Sequence, residues 1–179
     1  MNIKKLIENA EAGDMKAQSS LAYFYIEGDG VPQDYEKAFY WVKKAAAQED
    51  IYAMYNLGYL YWSGKGTSKD YEKAFFWFSL AAEKGFAKAQ NYLGAMYSSG
   101  RGVDENFEEA FIWLSIAAKQ NHPNAQCRLA LMYINGNGVP ESLSQAAHWA
   151  NLAYEQGSEF AAEMMDEYEL WDYLYIQKI

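Results

Sequence analysis

Residues 63–78 read SGKGTSKDYEKAFFWF, a glycine turn with a lysine and two hydroxyls running into an apolar stretch. That order suggests a phosphate cradle, but the spacing fails. A phosphate loop needs a glycine five residues before its Gly-Lys pair, so that successive N–H groups curl around the β-phosphate. Tyr59 stands there, and Gly66 occupies the place of the magnesium-binding Ser or Thr. Other chemistry is equally thin. No Ser or Thr lies three residues before a lysine, so the Ser-x-x-Lys nucleophile is absent. His122, His148 and the lone Cys127 match no zinc spacing. Asp104-Glu105 and Glu108-Glu109 read as the solvated first turn of a helix, where negative charge complements the dipole, rather than as an acid–base pair. No catalytic, cofactor-binding or metal-binding residue is assigned.

The turn has sisters. Gly28-Asp29-Gly30, Gly64-Lys65-Gly66, Gly100-Arg101-Gly102 and Gly136-Asn137-Gly138 recur every 36 residues. The same step links Leu21, Leu57, Leu93 and Leu129, then Trp41, Trp77, Trp113 and Trp149. A fixed period of this length marks stacked structural repeats. Lys65 therefore reads as the variable middle of a spacer, and the glycines as hinges. Each unit reads as two helices. The first carries an Ala17–Leu21–Ala22–Tyr25 stripe and stops at the Gly-x-Gly turn. The second opens on Asp34, Asp70, Asn106 or Ser142 as N-cap and buries Ala38, Trp41 and Ala45. Glycines replacing Ala22 at positions 58 and 94 suggest close helix approach. The units fall at 13–48, 49–84, 85–120 and 121–156. Residues 1–12 read as an N-terminal capping helix and 157–179 as a C-terminal one, with Glu169–Leu174 continuing its helix. All form a single repeat domain, because two helices cannot bury both faces alone.

These residues resemble a known family. LGYLYWSGKGTSKDYEKAFFWFSLAAEKG and its sisters, with the A-x-x-x-L-G-x-x-Y helix, the G-x-G-V turn and the W-x-x-x-A-A helix, look like Sel-one-like repeats (SLR), relatives of tetratricopeptide repeats. The resemblance covers about residues 10 to 165. It implies an all-α fold, a right-handed α/α superhelical solenoid of antiparallel hairpins, used as an adaptor surface for other proteins. Members include bacterial host-interaction factors and small proteins encoded beside contact-delivered toxins. Some secreted members carry a disulfide in every repeat and are linked to β-lactam binding; one cysteine and no signal peptide set this chain apart.

Composition fits a compact chain: 51% of its 179 residues are apolar and 17% aromatic. No segment has the apolar length of a signal peptide or a membrane span, and a lone cysteine suits a reducing compartment, so the expected location is cytoplasmic. Charge is uneven. Residues 1–128 carry 16 acidic and 14 basic side chains, whereas 129–179 carry 8 and 1, most of the net −9. That field opposes nucleic acid and anionic membranes and favours a basic protein partner. The resemblance places the first helices on an inner wall, which then includes Tyr23, Tyr52, Tyr55, Tyr59 and Trp62, and Cys127 further along. At 100° per residue they fall opposite the Ala53–Leu57–Gly58 stripe, so the hairpin core does not need them. With Glu163, Glu167, Trp171 and Asp172 at the acidic end, these are the expected protein-binding residues. The expected function is a monomeric, non-catalytic interaction module, with a bacterial immunity-type protein against a basic toxin as its specific form. The alternative is an enzyme or small-molecule binder using the groove as pocket.

Overall fold

The computed structural model describes residues 3–176. They form eleven helices and no strand among the described residues. The chain divides into two compact units, Met1–Lys84 and Gly85–Ile179. The first holds α1 (Ile3–Glu11), α2 (Met15–Glu27), α3 (Tyr35–Ala46), α4 (Ile51–Ser63) and α5 (Tyr71–Glu83). The second holds α6 (Ala87–Ser99), α7 (Phe107–Lys119), α8 (Pro123–Asn135), α9 (Leu143–Glu155), α10 (Glu159–Glu167) and α11 (Trp171–Ile176). The tightest pairs are α2 with α3, α4 with α5, α6 with α7 and α8 with α9. These hairpins are the all-α repeat fold that the 36-residue period predicts.

The connections explain the period. Each Gly-x-Gly turn begins on a left-handed glycine whose N–H closes the preceding helix, as Gly64 N does on Leu60 O at 2.9 Å. The chain then returns along a repeated bond. Asp34, Asp70, Asn106 and Ser142 each donate their N–H to the carbonyl of Tyr25, Tyr61, Tyr97 and Tyr133, at 2.9 Å in every unit. The same four side chains cap the second helix, accepting from Lys37, Lys73, Glu109 and Gln145 N–H groups. First helices are capped by Asp14, Asp50, His122 and Ser158.

Packing departs from the expected stripe in one respect. Ala38 and Ala45 are fully buried and Trp41 nearly so, but Trp77, Trp113 and Trp149 are half-buried. The deepest large side chains lie one residue later, at Val42, Phe78 and Leu114. A 100° step puts that position between Ala38 and Ala46 and leaves the tryptophan at the rim. The first helix answers it. A Cβ at Gly58 would sit 2.8 Å from the Phe78 ring, and one at Gly94 2.6 Å from Leu114 Cγ. Where the second helix offers only Val42 or Ala150, the facing repeat position is Ala22 or Ala130. Size is traded across the hairpin, which keeps packing density constant.

The C-terminal segment also differs from expectation. Glu169–Leu174 does not continue one helix. The chain turns at Glu169, φ +52°, with Leu170 N bonded to Met165 O at 2.9 Å, and restarts as α11. The turn buries Leu170 completely and sets α11 against α9. A straight helix would have carried Leu170 and Trp171 off that core.

Candidate protein-binding surface

In the first unit, the expected aromatic residues divide into two kinds. Tyr23 and Tyr52 are exposed, by 51% and 64%. Tyr55, Tyr59 and Trp62 are half-buried, because the hairpin does use them. Tyr55 packs against Phe78 with ring centroids 5.9 Å apart, and Trp62 meets Tyr71 edge-on at 4.9 Å. Tyr55 and Trp62 project from α4 onto α5, and all three stay part-exposed. Lys65 is more than a spacer. Its Nζ donates to the Tyr35 hydroxyl at 3.2 Å and lies over the Tyr35 and Tyr59 rings at 4.9 and 5.8 Å. The Tyr35 hydroxyl, followed by Tyr59, holds this ammonium above the ordinary lysine range. A cation on a tyrosine face is the kind of contact a sequence cannot display, since it joins residues 30 apart.

In the second unit, Glu163 and Glu167 on α10 and Asp172 on α11 are exposed, and no lysine or arginine pairs with them among the described residues. Trp171 is different. Its Nε1 donates to Asp166 at 2.7 Å, its ring meets Tyr154 edge-on at 5.1 Å, and it packs on the α8–α9–α10 core. It therefore holds α11 in place and presents one edge. Cys127, placed on the open wall by repeat position, is buried at 3% exposure beside Ser158 Oγ, 3.6 Å away. Burial pushes its thiol pKa up, which suits a packed side chain. His122 caps α8, its Nδ1 accepting from Ala125 N at 3.3 Å. Burial, then the Lys88 and Arg128 charges, push the imidazole below its ordinary value.

Two features escaped the sequence reading. Within each unit a relay of buried glutamines joins successive hairpins: Gln126 Nε2 donates to Ala118 O at 3.2 Å and its Oε1 accepts from Gln156 at 2.7 Å. Gln18 does the same between Ala10 O and Gln48. The signal was present, since glutamine recurs at 18, 90 and 126 and at 48, 120 and 156. The second feature is an exposed apolar position on the second helices, Tyr40 and Phe76 in one unit and Ile112 in the other. No group of three or more His, Cys, Asp and Glu side chains suited to a metal occurs among the described residues. No described helix is long and apolar enough to cross a membrane.

The Sel1 repeat model matches four times, at residues 16–50, 51–86, 87–122 and 123–158. Among solved structures, a protective antigen of uropathogenic Escherichia coli displaying an SLR fold is 35% identical, with a TM-score of 0.87 over 92% of this chain. A Sel1 repeat protein from Oxalobacter formigenes is 31% identical, with a TM-score of 0.83 over 89% of the chain. A cysteine-rich protein of Helicobacter pylori, 24% identical with a TM-score of 0.57 over 74% of this chain and 95% of its own, shares the fold. No curated protein sequence matches. The chain spans 35% of the length of the first of these structures and 63% of the second. With all four matches falling on the hairpins and caps described above, the chain belongs to the Sel1 repeat family.

Proposed function

We propose that this chain is a non-catalytic, monomeric protein-binding module whose partner is a basic protein, a cationic toxin countered by an immunity-type protein being the specific form. Sel1 repeats generally mediate protein–protein interaction and are typically non-enzymatic. The observation that supports the reading is the acidic stretch 129–179, where exposed carboxylates such as Glu163, Glu167 and Asp172 have no basic partner among the described residues. Unneutralised charge of one sign steers association with the opposite sign. The exposed edges of Tyr23, Tyr52, Tyr55, Tyr59 and Trp62 offer the second element, since tyrosine and tryptophan dominate binding energy at interfaces. A cytoplasmic location accords with the unpaired Cys127.

The test is capture from a native lysate with the full chain as bait, followed by calorimetry with the purified partner. A basic partner whose affinity falls when Tyr52→Ala is introduced supports the reading. Capture of acidic partners only, or affinity untouched by Tyr52→Ala and by Glu163→Lys alike, overturns it. Pure protein is expected to hydrolyse neither nucleotides nor β-lactams; turnover abolished by one substitution would refute the non-catalytic assignment.

A further inference from the structure

Among the N-caps of the first helices, His122 is the one whose side chain changes charge near neutral pH. Asp14, Asp50 and Ser158 hold that place in other repeats, and Phe86 opens α6 with no side-chain cap bond. Because Nδ1 accepts from Ala125 N at 3.3 Å, the neutral ring carries its proton on Nε2. Protonation puts a hydrogen on Nδ1 as well, and a donor cannot cap a helix N-terminus. The backbone has little freedom to respond. Asn121 is already left-handed at φ +61°, and Pro123 restricts the residue before it. The ring must turn instead.

The repeat shows what it turns towards. Thirty-one residues before a cap stands a side chain of the preceding first helix, and the two meet in the first and last cases: Ser19 Oγ donates to the Asp50 carboxylate at 2.9 Å, and Cys127 Sγ lies 3.6 Å from Ser158 Oγ. The residue in that place before His122 is Asn91 on α6, a helix that contacts α8. Asn91 is only 6% exposed, and its Oδ1 is buried with no hydrogen-bond partner among the described residues. Buried side-chain oxygens nearly always have a donor, so this one is an acceptor in waiting. The charges acting on the imidazole come from the same two helices, Lys88 on α6 and Arg128 on α8. None comes from α7, whose Ala117 carbonyl accepts the His122 N–H. Both charges are cations, so the Asn91 carbonyl is the group suited to receive an imidazolium proton.

We infer that the joint between the third and fourth repeats is a proton-operated switch: neutral His122 caps α8 through Ala125 N, whereas the imidazolium leaves that bond and donates Nδ1–H to Asn91 Oδ1 on α6. One proton is taken from solvent, and one hydrogen bond is exchanged for another. Ala125 N keeps the His122 carbonyl at 3.1 Å, so it is not stranded. Phe86 shows that a first helix stands without a side-chain cap, so the exchange alters the joint and not the fold. In acid the first turn of α8 loosens, while α6 and α8 gain a direct tie.

The test is an NMR titration of the isotope-labelled full chain between about pH 8 and 5. The His122 ring, the Ala125 amide and the Asn91 side-chain carbonyl carbon should move with one midpoint. In acid, a slowly exchanging Nδ1–H should lie close to the Asn91 side-chain amide protons. Asn91→Cys places there the residue that the fourth repeat holds at 127. It should lower the proton affinity of His122 about ten-fold, the scale of one lost charge-assisted bond, and leave Ala125 titrating. A merely structural Asn91 would change the melting temperature and not that midpoint. His122→Ser should leave the Ala125 and Asn91 signals unmoved across the range. The inference is overturned if the Asn91 carbon does not follow the ring, if Asn91→Cys leaves the midpoint in place, or if the Ala125 amide does not respond. Should Asn91→Cys fail to fold, the unsubstituted chain decides: a charged ring whose Nδ1–H exchanges freely, away from Asn91, overturns the inference.

Discussion

Gly66 shows how one residue can be required for its backbone alone. Its φ is +69°, and a Cβ there would collide with the Tyr35 carbonyl at the start of α3. The turn of one repeat thus rests on the second helix of the one before it, as Gly138 rests on Phe107. Relief would require moving backbone, not a side-chain tip. Gly66→Val should therefore lower stability by several kcal/mol (about 3 or more), combining left-handed strain with the collision. Lys65→Ala should cost much less, because it loses only an exposed hydrogen bond and two cation–π contacts in solvent. Thermal melts of the two variants decide the point, and equal losses would contradict it. His122 carries a second residue-scale prediction. Its folded pKa lies below the unfolded value, so its contribution is full above the unfolded pKa and is lost as pH falls through the folded pKa. Protonation also removes the Nδ1 lone pair that caps α8. Denaturant titrations between about pH 7.5 and 5.5 should show falling stability that His122→Ser flattens, serine being the cap that α10 uses at Ser158. An unchanged slope in His122→Ser would show that other groups set it.

The helices join through the glutamine relay, and the chain contains its own control. Where Gln126 and Gln156 bond in one repeat, the equivalent pair in the second is Met54 and Lys84, with Lys84 redirected to Glu49 at 3.0 Å. Amide or apolar pairs both work, whereas a mixture strands a buried polar group. Gln126→Met should then cost about 1 kcal/mol, since it removes the buried bonds to Ala118 O, which keeps Asn121 N as a donor, and to Gln156. Adding Gln156→Lys should lose less than the sum of the single changes, by about 0.5–1.5 kcal/mol. A double-mutant cycle in urea measures that coupling, and strict additivity would refute the relay. Much at this scale was legible in advance. The caps Asp34, Asp70, Asn106 and Ser142, the glycine stops and the hairpin period all follow from local rules that one short window contains. What was not legible depends on partners far apart in sequence. The rim position of the tryptophans, the contact of Tyr55 with Phe78 and the burial of Cys127 are set by the neighbouring helix. The break before α11 escaped for a related reason: Glu169 is a poor left-handed residue, and only the burial of Leu170 compensates for it.

Across the whole molecule, the distribution of charge separates two roles for its surfaces. Ion pairs resolved among the described residues, Lys37–Asp34, Lys73–Asp70 and Lys84–Glu49, all lie in the first unit and join exposed groups. Such pairs contribute little stability. The carboxylates of α10 and α11 have no such neutralisation, so their field extends into solvent until salt screens it over about 10 Å at 0.1 M. In the proposed complex such a surface would accelerate encounter, whereas the aromatic rings around Tyr52 and Trp62 would act only at contact. The two should therefore respond differently to salt. With the captured partner, reversing Glu163 and Glu167 to lysine should slow association several-fold at low ionic strength and have little effect near 0.5 M, where screening falls to about 4 Å. Tyr52→Ala should instead raise dissociation at both salt concentrations, by about ten-fold or more if it lies at the centre of the interface. Stopped-flow association and dissociation rates separate the two outcomes. Trp62→Ala serves as the internal check, because its ring also packs on Tyr71. If that variant loses folded fraction while the molecules that remain folded bind with unchanged rates, Trp62 belongs to the hairpin, and Tyr23 and Tyr52 alone make the aromatic contact.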